Sequence, residues 1–592
     1  MKNNAAEFDV AIVGGGPAGS TCAGLLRKYR PNIKVGIFER EHFPRDHVGE
    51  SQLPLISKIL NELGVWDKVE AANFPIKIGA TYRWGNSDDL WDFNFIAGGE
   101  FVDMPRPGKF EGQRLETAFQ VDRGIYDKIL LDHARDLGAE IYEGCAVREV
   151  LRNGDRITGL KLDTGEEVSA NYFVDASGQT GFLRRAMGVG VEEPSNLKNI
   201  AIWDYWNSAE WAVNLGIGGT RVQVMSISYG WLWFIPLGPD RTSIGFVCPA
   251  DYFKQAGLKA EELYLRAISE EPRIAALVEN ATREKLLSTT KDWSFLAERT
   301  AGENWFLTGE SAGFADPVLA AGMSLAHASA REAAFTILAM GQGRDPWLRE
   351  QYDERSRRKI LQHIRFADYW YTANGHFTDL KEFTREIATD AGLSLDAESA
   401  FRWLGTGGFV EDDMGLGGLA LFSLDCLHLI SGKLSDTPSV NSIDGFSGFM
   451  LNLKGAETIQ VAYYDLGQVI SIPAYRRHGK ILPLSGFFGW VVAGLQHSPS
   501  VELAIKFIRS KLAELGIQYD HTTNSRVMQT LEAMARDGWV RGKLFSDGLI
   551  LDLKVEENNM FIGLNRDEDL PADRQSPQLR KGHSRPADPI KS

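Results

Sequence analysis

The sequence predicts an α/β protein of two or three domains, since 592 residues are too many for one compact core. Three observations carry the prediction. Short apolar runs suited to buried parallel strands alternate with helical segments near the N-terminus. Residues 195–250 are rich in β-formers and aromatics (Trp203, Tyr205, Trp206, Trp211, Tyr229), which reads as an inserted antiparallel sheet. Beyond about residue 455 the pattern becomes strands, then three helices at Ser485 to His497, Ser500 to Leu515 and Ser525 to Asp537, then a polar–apolar strand pair.

In chain order, Val10 to Val13 reads as a strand, Pro17 to Arg27 as a helix and Lys34 to Glu39 as the next strand. Tyr126 to Leu137 reads as a helix, with Ile129, Leu130, Ala134 and Leu137 on one face. Residues 146–175 read as strands with turns at Asn153-Gly154 and Thr164-Gly165. Trp305 to Thr308 is a strand running into Gly309, and a helix follows from about Met323 to Gln342. Residues 344–400 read as aromatic-rich helix, and Gly405 to Gly418 as a linker or loop. The predicted domains are a core over 1–345, a helical and Gly-rich region over 346–454, a winged-helix-like α+β domain over 455–564 and a disordered tail over 565–592.

The composition is that of a soluble protein, with 44% hydrophobic and 24% charged residues. A net charge of −15 argues against nonspecific nucleic-acid binding, which needs Lys and Arg to neutralise phosphates. Four scattered cysteines show neither zinc spacing nor a disulfide framework, so no metal is expected. Met1 to Phe8 is mostly polar and forms no secretory apolar run, and the apolar run Leu482 to Leu495 is too short and broken to span a bilayer, so a cytoplasmic location without membrane attachment is expected.

Gly14-Gly15-Gly16-Pro17-Ala18-Gly19 fits GxGxxG directly between a strand and a helix. Gly14 allows the tight turn, Gly16 lets backbone approach a pyrophosphate, and Gly19 permits close helix–strand packing. The first turn of the helix, which starts at Pro17 and Ala18, presents its free N–H groups and positive end to phosphate. Glu39 closes the second strand about 20 residues on, where a carboxylate accepts from a ribose. This is a Rossmann-like dinucleotide site.

Further segments follow in a telling order: Phe43-Pro44-Arg45, Val48-Gly49-Glu50-Ser51, Val174-Asp175-Ala176-Ser177-Gly178, and Gly309-Glu310-Ser311-Ala312-Gly313 before Asp316-Pro317. Over residues 8–345 this resembles the single-FAD-domain superfamily of aromatic hydroxylases, geranylgeranyl reductases and flavin-dependent halogenases. The resemblance implies an FAD site drawing on Arg40, Arg45, Ser51, Arg123, Asp292, Gly309, Glu310, Asp316, Gly322 and Met323. Arg123 would face the flavin or its diphosphate. Members usually carry Gly-Asp where this chain has Gly309-Glu310. No second dinucleotide fingerprint for NAD(P)H is evident, so reduced flavin is expected from a separate flavin reductase.

Trp231-Leu232-Trp233-Phe234-Ile235-Pro236 resembles the Trp-x-Trp-x-Ile-Pro signature of the flavin-dependent halogenases. The resemblance implies that Trp231 and Trp233 stand beside the flavin, keep organic substrate away and admit chloride or bromide, so that hypohalous acid forms instead of a hydroxylated product. The segment from Lys77 to Gly85 resembles the one that holds the family's active-site lysine. Lys77 would polarise hypohalous acid as an ammonium or form a haloamine as an amine, and burial would bring either within reach. The halide is implied to sit on backbone amides at Ala321, Gly322 and Met323, because helix N-termini bind anions without side chains. Ala320 replaces a hydroxyl residue common there.

The pattern at 43–51 and the Asp316-Pro317 stretch look more like the branch acting on phenols, pyrroles or acyl groups. The implied substrate is a small aromatic or acyl compound, free or held on a carrier protein or peptide. A flavin monooxygenase or reductase of the same superfamily, suggested by Ala320 and Glu310, and a non-catalytic FAD-binding partner, suggested by the extra C-terminal region, remain as alternatives.

Overall fold

A computed structural model describes residues 6–84, 90–96, 101–102, 105–341, 346–373, 443–516, 518–546, 550–551 and 562–565. The expected loop at 405–418 and the tail from 566 onward lie outside them, as does the helical expectation for 374–400.

In chain order the elements that position the site are β1 (Ala6–Val13), α1 (Pro17–Tyr29), β2 (Val35–Glu39), β3 (Ile76–Arg83), β4 (Leu90–Asn94), α2 (Arg123–Asp136), β5 (Glu140–Glu143), β6 (Val147–Asn153), β7 (Arg156–Leu162), β8 (Glu167–Asp175), β9 (Lys198–Asn207), β10 (Gly219–Ile227), β11 (Gly230–Pro236), β12 (Arg241–Pro249), β13 (Ser288–Trp293), β14 (Trp305–Leu307), α3 (Gly322–Met340) and α4 (Trp347–Ala373). The first sheet runs β5-β2-β1-β8-β7-β6, with β14 also on β8. Its β5, β2, β1, β8 and β14 pairings are parallel, and β6-β7-β8 is an antiparallel meander. Val10 and Ile12 point into one cluster and Ala11 and Val13 into another, so both faces of β1 are covered. That explains why the strand reads as an unbroken apolar run.

The second sheet has the order β9-β12-β11-β10-β3-β4, with β13 also on β9. Strand β11 is buried along its whole length. Trp231, Trp233 and Ile235 face one cluster with Tyr82, Trp84, Val222, Val224 and Tyr371. Leu232 and Phe234 face the opposite one with Ile244, Phe246 and Tyr264. The indole of Trp233 lies over Gly245, its partner across the β11–β12 ladder, and a Cβ at Gly245 would stand 2.1 Å from the ring.

Strand β3 carries one residue more than its parallel partner β10: Lys77 pairs with Thr220, but Gly79 pairs with Arg221. This β-bulge reverses the facing of everything N-terminal to it relative to an unbroken strand. Lys77 therefore shares a sheet face with Thr220, Val222 and Val224, the face on which Val224 pairs with Trp233 and Ser226 with Trp231.

Helix α4 crosses three clusters: Leu348 and Tyr352 pack into the first-sheet core, Ile360 and Ile364 into its other face, and Ala367 and Tyr371 against the tryptophans. Near the C-terminus, β15 (Gly448–Leu451), β16 (Glu457–Asp465), β17 (Gln468–Arg477) and β18 (Lys480–Pro483) precede α5 (Gly486–His497), α6 (Val501–Glu514), α7 (His521–Arg536) and β19 (Val540–Lys543). The three helices share a core with Phe449, Trp539 and Val540. Ala462, Tyr464 and Val469 of the β16–β17 hairpin instead pack into the N-terminal core. A buried Glu332 ties Arg355 at 3.0 Å and Lys359 at 2.5 Å, and this ion cluster joins α3 to α4 beside that hairpin.

Because the space over Gly245 is filled by an indole, Gly245→Ala is expected to destabilise the fold by about 1–3 kcal/mol through overpacking. Denaturant unfolding checks this; an unchanged midpoint would show that Trp233 does not need the glycine.

Candidate active site

The loop after β1 is shaped by two contacts no side chain would tolerate. Gly14 has φ +105°, and a Cβ there would meet the Ala176 carbonyl oxygen at 2.4 Å. A Cβ at Gly19 would meet the Gly14 oxygen at 1.9 Å. The turn is therefore tight and α1 packs closely on the sheet. Gly16 caps α1 without a side-chain bond, and Pro17 fills the first turn, so the helix N-terminus stays open to an anion. Glu39 accepts from Gly15 N at 2.7 Å and from Glu41 N at 2.9 Å. Each carboxylate oxygen retains further acceptor capacity.

Arg45 lies next to this helix end: its Nη2 is 3.4 Å from the position of a Cβ on Gly16, and it pairs with Asp127 at 3.7 Å. Arg123 is more committed. It donates to both Asp127 carboxylate oxygens, at 2.7 and 2.9 Å, and to the Val48 and Gly49 carbonyls at 2.8 and 3.1 Å. Burial opposes its charge, yet Asp127, Glu310 and Glu50 together raise its pKa. Its visible task is to hold the 48–51 segment. Arg40, by contrast, is exposed and paired with Glu41.

Gly309 stands 3.5 Å, measured at its would-be Cβ, from the Ala18 methyl, so the strand end after β14 meets the first turn of α1. Glu310 follows, with one oxygen 3.8 Å from the corresponding point on Gly322 and the other 4.0 Å from that on Gly178. Burial pushes its carboxyl up, against the pull of Arg123. The loop, Arg45, Glu310 and the start of α3 thus converge on one region. Ser51 Oγ, the Gln120 amide and Ser324 Oγ are buried without a hydrogen-bond partner among the described residues. Open helix ends, a glycine cradle, the Glu39 carboxylate with acceptor capacity to spare and these buried polar groups together fit FAD. Asp292 lies on β13 opposite Asn199, but its side chain is outside the described residues.

Lys77 is 2% exposed, donates to the Gln52 carbonyl at 2.9 Å and sits 5.4 Å from the Phe95 ring centroid. Burial pulls its pKa down to about 7, so both ammonium and amine are accessible near neutrality. Trp231 and Trp233 are also buried, with ring centroids 6.0 Å apart. Trp233 Nε1 donates to Ser243 Oγ at 3.1 Å, and Trp231 Nε1 to the Tyr371 hydroxyl at 2.8 Å.

Asp316 caps the one-turn helix Pro317–Leu319 by accepting from Val318 N at 2.8 Å. Ala320 then takes φ +56°, a left-handed conformation costly for a residue with a Cβ, and α3 begins at Gly322. Ala321 and Met323 are buried, Gly322 is half-buried, and no side chain caps α3. Four residues that sequence reasoning did not assign to the site contact its predicted members. Glu50 is buried and pushed up to about 7 by burial, against hydrogen bonds from Tyr205 and Ser243 and the charges of Arg123 and Arg241. Tyr82 donates to the Val318 carbonyl at 2.9 Å. Tyr371 and Asn199 join Trp231 to Asp316. Glu50 lay within a quoted motif; the other partnerships are too distant in sequence to leave a local signal.

Fold and site define a single-FAD-domain flavoprotein, an FAD-dependent oxidoreductase. The chain belongs to the tryptophan halogenase family, whose profile matches residues 9–111 and 98–380. It is 31% identical over 388 residues to the 1H-pyrrole-2-carbonyl-[peptidyl-carrier protein] chlorinase of Pseudomonas fluorescens, across 63% of this chain and 85% of that one. It is 33% identical over 347 residues to the tryptophan 2-halogenase of Chondromyces crocatus, across 56% of this chain but only 62% of that relative. Among solved structures, the myxobacterial chondrochloren halogenase CndH superposes with TM-score 0.57 at 27% identity, over 72% of this chain and 97% of that one. The flavin-dependent halogenase CmlS shares the fold over 93% of this chain and 98% of its own, with TM-score 0.67 at 24% identity. No helix among the described residues is long and apolar enough to cross a membrane.

Two outcomes follow from this geometry. Gly14→Ala is expected to purify without flavin absorbance, because its Cβ has no room in the turn; a yellow protein would contradict the cradle. Lys77 has a lower pKa folded than unfolded, so the unfolded chain binds the proton more tightly and burying Lys77 costs more as pH falls from about 10 to about 7, then levels off. Lys77→Met should therefore gain stability relative to wild type over that window, which thermal unfolding against pH checks; a constant gap would refute the depressed pKa.

Proposed function

We propose that this protein halogenates an electron-rich or activated carbon, and that Lys77 delivers the halogen. The observation that carries the reading is the bulge in β3, which sets a buried lysine on the same sheet face as Trp231 and Trp233. The Gly14–Gly19 loop, Glu39, Arg45 and Glu310 hold the adenine dinucleotide, with Arg123 bracing the 48–51 segment. Bound FAD, once reduced by a separate reductase and met by O2, supplies the two-electron oxidant that converts chloride or bromide to hypohalous acid. Amides of Ala321, Gly322 and Met323 hold the halide. Trp231 and Trp233 fill the space where a hydroxylase would admit its substrate. Lys77 receives hypohalous acid and orients it toward carbon, either by donating a hydrogen bond to it as an ammonium or, as an amine, by taking its halogen into an N–halogen bond as the O–halogen bond breaks and water leaves.

The pyrrolyl-carrier chlorinase among the relatives supports a substrate of the pyrrole, phenol or activated acyl type, tethered to a carrier protein. The test is to incubate the purified protein with a flavin reductase, NADH, O2, bromide and a panel of phenols and pyrroles, free and carrier-bound. Brominated product from wild type is expected. Lys77→Ala should lose at least about a hundredfold of that product, the order of a removed catalytic group, while flavin reoxidation continues. Hydroxylated product, or bromination undiminished by Lys77→Ala, contradicts the reading.

A further inference from the structure

Resting on that reading, we infer that Tyr371 is a positioning residue that sets the halide site from helix α4. Its hydroxyl is a junction. Trp231 Nε1 donates to it at 2.8 Å and Asn199 Nδ2 at 3.3 Å, and it donates to Asp316 Oδ1 at 3.2 Å. The same Asp316 oxygen accepts from Val318 N at 2.8 Å, while Tyr82 holds the Val318 carbonyl at 2.9 Å. Two tyrosine hydroxyls from two different elements thus pin the turn that precedes Ala320.

That turn needs pinning. Ala320 is held at φ +56° with no side chain capable of a compensating hydrogen bond, and such a conformation persists only where the surroundings over-determine it. Relaxation at Ala320 would re-orient the amides of Ala321, Gly322 and Met323, which follow it directly. The hydroxyl of Tyr371 also fixes the Trp231 indole, so halide amides and tryptophan wall are set by one group. The ring is buried and packs against Trp84 with centroids 5.8 Å apart, so removing the hydroxyl alone leaves packing in place.

The test is an equilibrium bromide titration of the oxidised holoenzyme, read by flavin absorbance and by tryptophan emission, beside steady-state KM for bromide and kcat. Tyr371→Phe is expected to raise the bromide midpoint and KM about fivefold, the effect of one hydrogen bond, with kcat at saturating bromide within about twofold. Asp316→Asn, which keeps the accepting oxygen, should stay within about twofold of wild type in the midpoint, whereas Asp316→Ala should follow Tyr371→Phe. An unchanged midpoint in Tyr371→Phe, or a fall in kcat alone, overturns the inference and leaves the halogenase reading intact. A wild-type protein without a saturable bromide response overturns the halide reading itself, and this inference with it.

Discussion

A single extra residue in β3 decides on which face of the second sheet Lys77 stands. Without the slip between Lys77 and Gly79, alternation would put Lys77 on the face opposite Ala80 and Tyr82, away from the tryptophan strand. With it, the lysine and the two indoles belong to one surface. The strands beyond β10 are regular: β11 is buried on both faces, and β12 matches it residue by residue from Trp231 to Pro236. Burial of Lys77 follows from the same placement, and the depressed pKa follows from burial. One register choice therefore supplies both position and protonation state.

The cofactor side depends on different physics. Close backbone approaches at Gly14 and Gly19 leave the start of α1 bare, and the start of α3 is bare as well. Two uncapped helix N-termini near one another make a region of positive potential without lysines, consistent with a chain of net charge −15. The lengthened acid Glu310 reaches into this region between Gly178 and Gly322. Arg123, which looked from its motif like a flavin contact, spends most of its donors on Asp127 and on the Val48 and Gly49 carbonyls. Arg45 instead brings its Nη2 to 3.4 Å from the Cβ position on Gly16, at the open end of α1.

Features with local causes were legible in the sequence. The glycine fingerprint, the acid at Glu39, the meander turns near Gly154 and Gly165 and the Trp-x-Trp strand each encode their structure within a few residues. The helix expected from Tyr126 begins at Arg123, capped by Asp122, and the helix expected from Met323 begins at Gly322. The bulge was not legible, because Ile76, Ile78, Ala80 and Tyr82 read as one unbroken alternation. Nor were the bonds of Tyr371, whose partners Trp231, Asn199 and Asp316 lie 140, 172 and 55 residues away. Such contacts are fixed by how α4 docks, and docking leaves no period in the sequence. The β16–β17 hairpin makes the same point: it reads as the start of a separate C-terminal region, yet one of its faces completes the N-terminal core.

In the proposed reading, Trp231 and Trp233 stand between the halide on the α3 amides and Lys77. Anomalous diffraction from crystals of the FAD-bound protein soaked in bromide tests this most directly. The account predicts a bromide peak on the amides of Ala321, Gly322 and Met323, with Lys77 Nζ facing it along a passage past the indoles that is too narrow for an aromatic substrate. A peak elsewhere, or a channel wide enough to bring an aromatic ring against the flavin, would contradict it.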